Sequence, residues 1–483
     1  MCRRALRLPS KRSAHFLAPS HLPPPASAAG PRRSLPLSLF ADRCASLRQL
    51  KQVHAQMVVR DRIHDNYAAS RLIAFAALLP SGDLRYALRL FHQTREPNSF
   101  MWNTVIRGLA DSPRPSDAID LYVKMQRMGV PPGKHTYPFL LKGCTNCCAF
   151  STCRQVHTHV LKRGLDVDVY IVNGLIRCYG SGGLLSHARK LFDGAPARNL
   201  IVWTTMVSAY AQNFQADKAL QLFDQMIQEG LEPNDATLSS VLSACARSGG
   251  LDLGGRIHLF MKEKGIELGV ILGTALVDMY AKNGAISVAR ELFRAMPEKN
   301  IATWNAMICG LAHHGHASEA LRLFRELEKE AVAPNDVTFV GVLSACCHAG
   351  LLEAGRGIFC SMQRDYANEP KIEHYGCMVD LLGRCGRLTE AEDLISGMKW
   401  EPDIVVLGAL LTACKHHRNI EVAERVVRRI LELEPHSHGV YVVLSNMYAE
   451  AGRWEDVERW RKAMRDGGLN KVPAWSCIGD DKN

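Results

Sequence analysis

Cysteine and histidine are two residue types with the chemistry to bind a metal ion or attack a substrate. The chain has 16 cysteines, and Cys144 and Cys147 form a Cys-x-x-Cys pair with Cys148 and Cys153 nearby. A structural zinc site needs further ligands at matching spacing, and the neighbouring sequence does not supply them. We therefore predict no metal site and no cofactor, and we expect buried free thiols.

Known catalytic motifs are also absent from the sequence. A zinc-dependent base deaminase needs His-x-Glu followed by Pro-Cys-x-x-Cys, and neither pattern occurs in the sequence. No glycine-rich phosphate loop, nucleophile elbow or paired-carboxylate constellation stands out either. The sequence therefore predicts a protein that is not an enzyme.

The positive charge is concentrated at the N-terminus. Residues 1–41 contain six Arg and one Lys with no Asp or Glu, together with seven Pro and six Ser. Subtracting these seven charges from the net charge of +11 leaves +4 for the rest of the chain. Such a composition predicts a transit peptide for a mitochondrion or chloroplast, the alternative being a disordered tail. No apolar stretch is long enough to suggest a membrane span.

A long internal repeat runs through the remaining sequence. Trp102, Trp203 and Trp304 are each separated by 101 residues, and apolar, alanine and proline positions around them recur at the same step. The first two long units divide into segments of 35, 35 and 31 residues, starting with 99–133, 134–168 and 169–199, and a slightly longer third unit divides into 301–335, 336–371 and 372–403. This periodicity predicts about ten stacked repeats between residues 42 and 403.

Each segment has the pattern of two helices. In 200–234, Trp203, Met206, Val207 and Tyr210 lie on one face of a first helix, and a second apolar stripe follows before Gly230. A two-helix unit cannot bury both stripes alone, so neighbouring units must stack. The predicted fold is all-α, a right-handed superhelical solenoid of helix-turn-helix repeats similar to tetratricopeptide arrays.

The rotation of 35-, 35- and 31-residue repeats resembles the PLS subgroup of plant pentatricopeptide repeat proteins. The motifs that carry the resemblance are TALVDMYAKNG at Thr274–Gly284, VTFVGVLSACCHAG at Val337–Gly350 and IEHYGCMVDLLGRCGRL at Ile372–Leu388. Residues 404–437 and 438–470 resemble the two E motifs of this family, with Leu444, Tyr448 and Trp454 as apolar face residues. A short tail, 471–483, ends the sequence.

The resemblance implies that single-stranded RNA is recognised by one base per repeat, through the fifth and last residues of each repeat. Asn and Thr at these positions offer short hydrogen-bonding groups to a base edge. The predicted RNA-binding residues are Asn103 with Gly133, Pro138 with Asp168, Asn173 with Asn199, Thr204 with Asn234, Thr274 with Asn300, and Asn305 with Asn335.

By the same resemblance, Thr with Asn favours adenine, Asn with Asn favours cytosine over uracil, and Pro138 with Asp168 leans to uracil. The expected RNA, 5′ to 3′, is pyrimidine, U, C/U, A, any, A, C/U. The alternative is that these Asn and Thr residues only cap helices and turns, which is most serious for the last residue of each repeat.

The resemblance to family members that end in E motifs implies a site-recognition factor for organellar C-to-U RNA editing. The E motifs would recruit a deaminase in trans, together with editing accessory proteins. The Arg-rich start favours the mitochondrion over the chloroplast. Two alternatives stay open: RNA binding for splicing or transcript stabilisation, and a protein-binding scaffold.

Overall fold

The computed structural model describes residues 43–60, 65–330 and 332–466. The predicted transit peptide and the C-terminal tail lie outside these ranges. Within them, every regular element is a helix and no strand occurs. The prediction of an all-α chain is therefore confirmed for the described residues.

The 25 described helices form a series of antiparallel hairpins, which we number α1 to α25. The first helices of the hairpins are α2 (Asn66–Leu78), α4 (Ser99–Ala110), α6 (Tyr137–Asn146), α8 (Val169–Ser181), α10 (Leu200–Gln212), α12 (Asp235–Ser248), α14 (Val270–Lys282), α16 (Ile301–His313), α18 (Asp336–Ala349), α20 (Ile372–Arg384), α22 (Ile404–His416) and α24 (His438–Glu450). The second helices are α1 (Leu47–Val59), α3 (Leu84–Gln93), α5 (Ser116–Arg127), α7 (Phe150–Lys162), α9 (Leu185–Gly194), α11 (Ala216–Gln228), α13 (Leu251–Glu263), α15 (Ile286–Ala295), α17 (Ala317–Lys329), α19 (Leu352–Arg364), α21 (Leu388–Ser396), α23 (Ile420–Leu433) and α25 (Trp454–Asp466).

The chain divides into two compact units. One contains the described residues up to Leu109 together with Lys124–Pro131, and the other contains Ala110–Val123 and the described residues from Pro132 onward. In the second unit each first helix from α6 to α20 packs against the next first helix along the chain, the last contact being α20 with α22. This arrangement buries the apolar stripes between hairpins, so the predicted stacking of repeats is confirmed there.

The repeated tryptophans occupy equivalent buried positions. Trp203 packs edge-to-face against Phe192 with ring centroids 4.8 Å apart, and Trp304 packs in the same way against Phe293 at 5.0 Å. Both tryptophans are at most 5% exposed. The 101-residue spacing in the sequence therefore marks one packing contact, made between the second helix of a hairpin and the first helix of the next.

Glycine ends the second helix α11, as predicted at Gly230. This residue has a φ of +77°, in the left-handed region that side chains other than glycine rarely adopt. The N–H of Leu231 donates to the carbonyl of Met226 at 3.2 Å, which satisfies a carbonyl at the helix end. The chain can therefore reverse and start α12 only a few residues later.

The cysteines at the eleventh position of the repeats are packing residues. Cys144, Cys245, Cys346 and Cys414 are free thiols with no exposed surface. Burial raises the pKa of Cys245 and of Cys346 to about 11, so both stay protonated at neutral pH. In the described part of the chain, no group of three or more His, Cys, Asp or Glu residues is placed to hold a metal ion.

Two histidines at the twenty-fourth position of their repeats have a structural partner. His157 lies 3.0 Å from the hydroxyl of Tyr179, and His258 lies 3.0 Å from that of Tyr280. Each pair joins a second helix to the first helix of the next hairpin. Burial lowers the pKa of both imidazoles, so the neutral form is favoured.

Candidate nucleic-acid interface

The predicted fifth-position residues lie in the second turn of the first helices. Thr204 is on α10, Thr274 on α14 and Asn305 on α16, and Asn173 has the same position on α8. Asn305 is 7% exposed, and the other three are partly buried. These first helices pack side by side in the second unit, so the four side chains recur along one face of the stack.

The predicted last-position residues cap the first helix of the following repeat. The side-chain oxygens of Asn199, Asn234, Asn300 and Asn335 each accept the backbone N–H three residues later, at 3.1, 2.9, 3.0 and 3.2 Å. The capping role that we considered as an alternative is therefore real. It does not exclude base recognition, because capping uses the side-chain oxygen and each amide nitrogen carries two further N–H donors.

The fifth residue and the capping residue meet at a third side chain that sequence analysis had missed. Thr237, Thr303 and Thr338 are the third residues of their repeats and have no exposed surface. The Thr237 hydroxyl lies 2.7 Å from that of Thr204, and the Thr303 hydroxyl lies 2.7 Å from that of Thr274. The sequence could have revealed these contacts, because Thr237 follows Thr204 by 33 residues and Thr303 follows Thr274 by 29 residues, each at the third position of the next repeat.

The most complete junction of this kind joins the repeats 301–335 and 336–371. Thr338 donates to Oδ1 of Asn305 at 2.7 Å, and Nδ2 of Asn305 donates to Oδ1 of Asn335 at 2.9 Å. Thr338 also lies 3.1 Å from Oδ1 of Asn335. The predicted pair, Asn305 with Asn335, is thus in direct contact and is oriented by the next repeat.

Two predicted pairs contain a residue without a polar side chain. Pro138 lies at the start of α6, where proline suits the first helical turn, and it offers no hydrogen-bonding group to a base. Its predicted partner Asp168 caps α8 by accepting the N–H groups of Tyr170 and Ile171. Gly133 donates its N–H to the Thr136 hydroxyl at 3.0 Å. Asn103, predicted to pair with Gly133, is partly buried on α4.

Large apolar side chains are exposed at the second position of several repeats, a feature that sequence analysis had also missed. In the second unit these residues are Tyr170, Ile201, Ile271, Val337 and Val405, which are between 49% and 76% exposed. A residue three positions before the fifth lies on the same helix face. The sequence could have revealed these exposed residues, because they are apolar but do not lie on the apolar face that each first helix buries.

Shallow grooves run between adjacent first helices on this face. One, between α14, α16 and α18, is lined by residues that include Asp278, Lys282 and Cys309. Another lies between α18, α20 and α22, and its lining includes Gly376 and Asp403, the fifth and last residues of one repeat. Lys282 pairs with Asp278 at 2.8 Å, and Arg247 in the same lining adds a further positive charge to the first groove.

Family comparison identifies the repeats. A PPR repeat family model matches residues 97–146, 198–247 and 299–348, which again differ by 101 residues, and a second PPR repeat model matches 170–199, 274–301, 337–366 and 373–401. A pentatricopeptide repeat-containing protein of Arabidopsis thaliana is 42% identical over 485 residues, covering 96% of this chain and 75% of the relative. The chain belongs to the pentatricopeptide repeat family.

Other relatives and a solved structure agree with this assignment. The chloroplastic pentatricopeptide repeat protein CRR2 of Arabidopsis thaliana is 37% identical over 443 residues, covering 90% of this chain and 67% of CRR2. The crystal structure of the pentatricopeptide repeat protein PPR10 in complex with an 18-nt psaJ RNA element superposes with a TM-score of 0.62 at 16% identity. The match covers 89% of this chain and 63% of PPR10, less than two thirds of its length. It supports the predicted helical-repeat solenoid.

The C-terminal part of this pentatricopeptide repeat chain matches a different family model, the E motif, over residues 417–479. In the described part of that region, Leu444 and Tyr448 are buried as predicted, whereas Trp454 is 67% exposed. The prediction for Trp454 was wrong because it begins α25, the last described helix, which has one face without a described helix against it. None of the described helices is both long and apolar enough to cross a membrane.

Proposed function

We propose that this chain binds single-stranded RNA in an organelle and selects sites for C-to-U editing, with its E motif region recruiting a deaminase in trans. The observation that carries the proposal is the order of the modules. An array of pentatricopeptide repeats, matched up to residue 401, is followed by a region that matches the E motif from residue 417. In this proposal the repeats locate the RNA and the C-terminal hairpins bind the protein partner, and the chain itself performs no catalysis.

The face of the first helices supports RNA as the ligand. Exposed apolar side chains at the second positions offer surfaces for base stacking, which tolerates any base. Hydrogen-bonding groups at the fifth and last positions, one helical turn away, offer contacts that distinguish base edges. The fold is shared with a protein crystallised with an 18-nt RNA element. Asn103, Gly133, Pro138, Asp168 and the four polar pairs therefore remain our proposed recognition residues.

Relatives and composition support an organelle as the location. The relative at 42% identity is named chloroplastic/mitochondrial, CRR2 is named chloroplastic, and a third relative, 32% identical over 578 residues, is named mitochondrial. The Arg-rich residues 1–41 favour the mitochondrion, with the chloroplast as the alternative.

The exposed end of the E motif region is our candidate surface for the protein partner. Trp454 borders a groove on α24 and α25 whose other lining residues include Val442, Arg461 and Arg465. Exposed tryptophan and arginine are the residue types that contribute most to protein interfaces. Partner binding and RNA binding would thus use different parts of the chain.

Sequencing of organellar transcripts from a line that lacks this protein tests the proposal. We expect one or a few cytidines to lose editing, each with A, any, A, C/U a short distance upstream, and wild-type protein to restore them. Normal editing together with altered intron removal or altered transcript ends would instead indicate a splicing or stabilisation factor.

A pair of tryptophan variants separates recruitment from RNA binding. W454A should bind RNA with unchanged affinity and fail to restore editing. The matched control is W400A, because Trp400 is also exposed, at 44%, but lies outside the E motif region. Equal restoration of editing by both variants would refute the role of Trp454.

A further inference from the structure

The turn between the two helices of a hairpin contains one residue in the left-handed backbone region. In the eight repeats from 134 to 403 this is the fifteenth residue, with a φ between +55° and +81°. Two of these residues are not glycine: Cys148, with a φ of +55°, and Phe214, with a φ of +58°. The other six are Gly183, Gly249, Gly284, Gly315, Gly350 and Gly386. A bulky phenylalanine in this conformation is not expected from backbone preference.

Packing in the core does not account for Phe214 either. Its side chain is 78% exposed, and its ring lies beside the guanidinium of Arg247, at 5.4 Å from the ring centroid. A cation over an exposed ring stabilises a protein only slightly, whereas the left-handed conformation is unfavourable for any residue with a Cβ. Residues held in such unfavourable conformations are concentrated at functional sites, which directs attention to the surface around Phe214.

Arg247 connects this ring to the face of the first helices. Its Nη2 donates to the carbonyl of Ala211 near the end of α10, which fixes the guanidinium over one side of the Phe214 ring. Arg247 also lines the groove between α14, α16 and α18, together with Val340, the fifth residue of repeat 336–371. The opposite side of the ring is open to solvent, so the site borders the face that we propose for RNA.

The charge of Arg247 is not neutralised by a neighbouring carboxylate. Lys282 and Arg384, which occupy the same position in other repeats, each pair with an aspartate four residues earlier, at 2.8 and 3.1 Å. Arg247 has no such carboxylate partner in the part of the chain that the structure describes, and its bond to Ala211 uses one of five N–H donors. Its positive charge is therefore available to a phosphate.

An exposed aromatic ring next to an unpaired guanidinium suits a nucleotide. Any base stacks on an aromatic side chain, and a positive charge attracts the phosphate beside that base. The repeat that contributes Arg247 has Ser239 and Gly269 as its fifth and last residues, which is the repeat for which we expect any base. Stacking on Phe214 would supply affinity at a point where the predicted pair supplies no selectivity.

We propose that Phe214 and Arg247 form a binding site for one further base of the RNA. The base stacks on the open side of the phenyl ring, while the guanidinium supports the other side and attracts the adjacent phosphate. The site accepts any base, so it adds affinity without sequence preference. This inference rests on the proposed RNA-binding function and adds a contact outside the fifth and last residues of the repeats.

Substitution of the ring tests the proposal. The probe is the single-stranded RNA that the wild-type full chain enriches most strongly from a random pool, and its dissociation constant is measured for each protein. F214L keeps an apolar side chain in the left-handed turn but removes the ring, and F214Y keeps the ring. F214L should bind about 5-fold to 150-fold more weakly, the range for one base stacked on one aromatic side chain. F214Y should resemble the wild type.

Two glycine variants separate the ring from the turn. F214G and C148G both place glycine at a fifteenth position with positive φ, and both Phe214 and Cys148 are exposed. Each variant should melt at the wild-type temperature or above it, because glycine adopts this conformation without strain. Only F214G should lose RNA affinity. Equal losses in both variants would show that the turn matters rather than the ring, and would overturn the proposal.

Salt dependence separates stacking from an effect on Arg247 alone. The ratio of wild-type to F214L affinity should be the same at about 50 mM and about 200 mM salt, because stacking on a neutral ring releases no counterions. A ratio that disappears at the higher salt would indicate that Phe214 only orients the arginine charge, which would overturn the stacked base.

The remaining outcomes distinguish this inference from the proposed function. A wild-type chain that enriches no RNA would overturn both. A wild-type chain that enriches RNA, with F214L binding equally tightly, would overturn the site at Phe214 and leave the proposed function intact. If F214L binds RNA normally but fails to restore editing in a line that lacks the protein, Phe214 contacts a protein partner, and the RNA site is likewise overturned.

Discussion

Glycine at the contact between two first helices provides a sharp test of how the repeats stack. A Cβ added at Gly310, on α16, would lie 2.4 Å from Cβ of Ala281 on α14. Real Cβ contacts are essentially never shorter than 3.0 Å, so G310A must separate the two helices by at least 0.6 Å. Overpacking of this kind costs about 1 to 3 kcal/mol.

The higher helix propensity of alanine changes the stability in the opposite direction, so the control is a second Gly to Ala substitution without a close contact. Gly to Ala in a helix interior gains about 1 kcal/mol. At Gly357, inside α19, an added Cβ meets nothing within 4 Å, so G357A should show only this gain. We therefore expect G310A to be less stable than G357A by about 1 to 3 kcal/mol.

Urea unfolding monitored by circular dichroism measures this difference. Because repeat arrays need not unfold in one step, hydrogen exchange of α14 and α16 should be measured as well, to locate the loss. G310A should also weaken RNA selection, because the contact between Thr274 and Thr303 lies at the same junction. A G310A protein as stable as G357A, with unchanged exchange in both helices, would refute this account of the close approach.

Three further predictions follow from particular side chains. N234A removes the oxygen that caps α12 and should lower the free energy of unfolding by about 1 kcal/mol in urea titrations. If N234A and the wild type select the same base opposite repeat 200–234 from a pool of random RNA, Asn234 is only a helix cap. Burial lowers the pKa of His157 and of His258, with smaller contributions from His187 and Lys262 respectively, so the unfolded chain binds protons more tightly than the folded chain. The contribution of the two neutral histidines to the free energy of unfolding should therefore be fully present above a pH of about 6.5 and should fall as the pH drops below it. The melting temperature of the double variant H157Q/H258Q should fall less between pH 7.5 and pH 5.5 than that of the wild type. An equal fall in both proteins would count against these histidines as the origin. Among the described cysteines, the exposed Cys148 and Cys360 should react with a thiol reagent in the native protein within the time that leaves Cys245 and Cys346 unmodified, as mass spectrometry of digested protein would show.

Sequence alone is sufficient for the helical-repeat fold and for the buried positions that recur in register. Trp203 and Trp304 recur at a fixed step, Gly230 ends a helix, and Cys245 and Cys346 share one register, and the structure gives all of them the expected place. These features depend on helical periodicity and on local backbone preference, which are properties of neighbouring residues in the chain. The fold of a repeat protein is accordingly predictable from short segments.

The candidate interface depended on tertiary structure, because its contacts join residues of different repeats. The asparagines at the ends of the repeats were predicted to contact bases, yet their capping bonds show a second role that the pattern left open. Thr338 meets Asn305 across 33 residues only because α16 and α18 pack side by side. Whether Tyr170 or Val405 is exposed likewise depends on which helix face the neighbouring repeats leave uncovered. Periodicity assigns a residue to a face of its own helix, but only the packing of the next helix decides what that face touches.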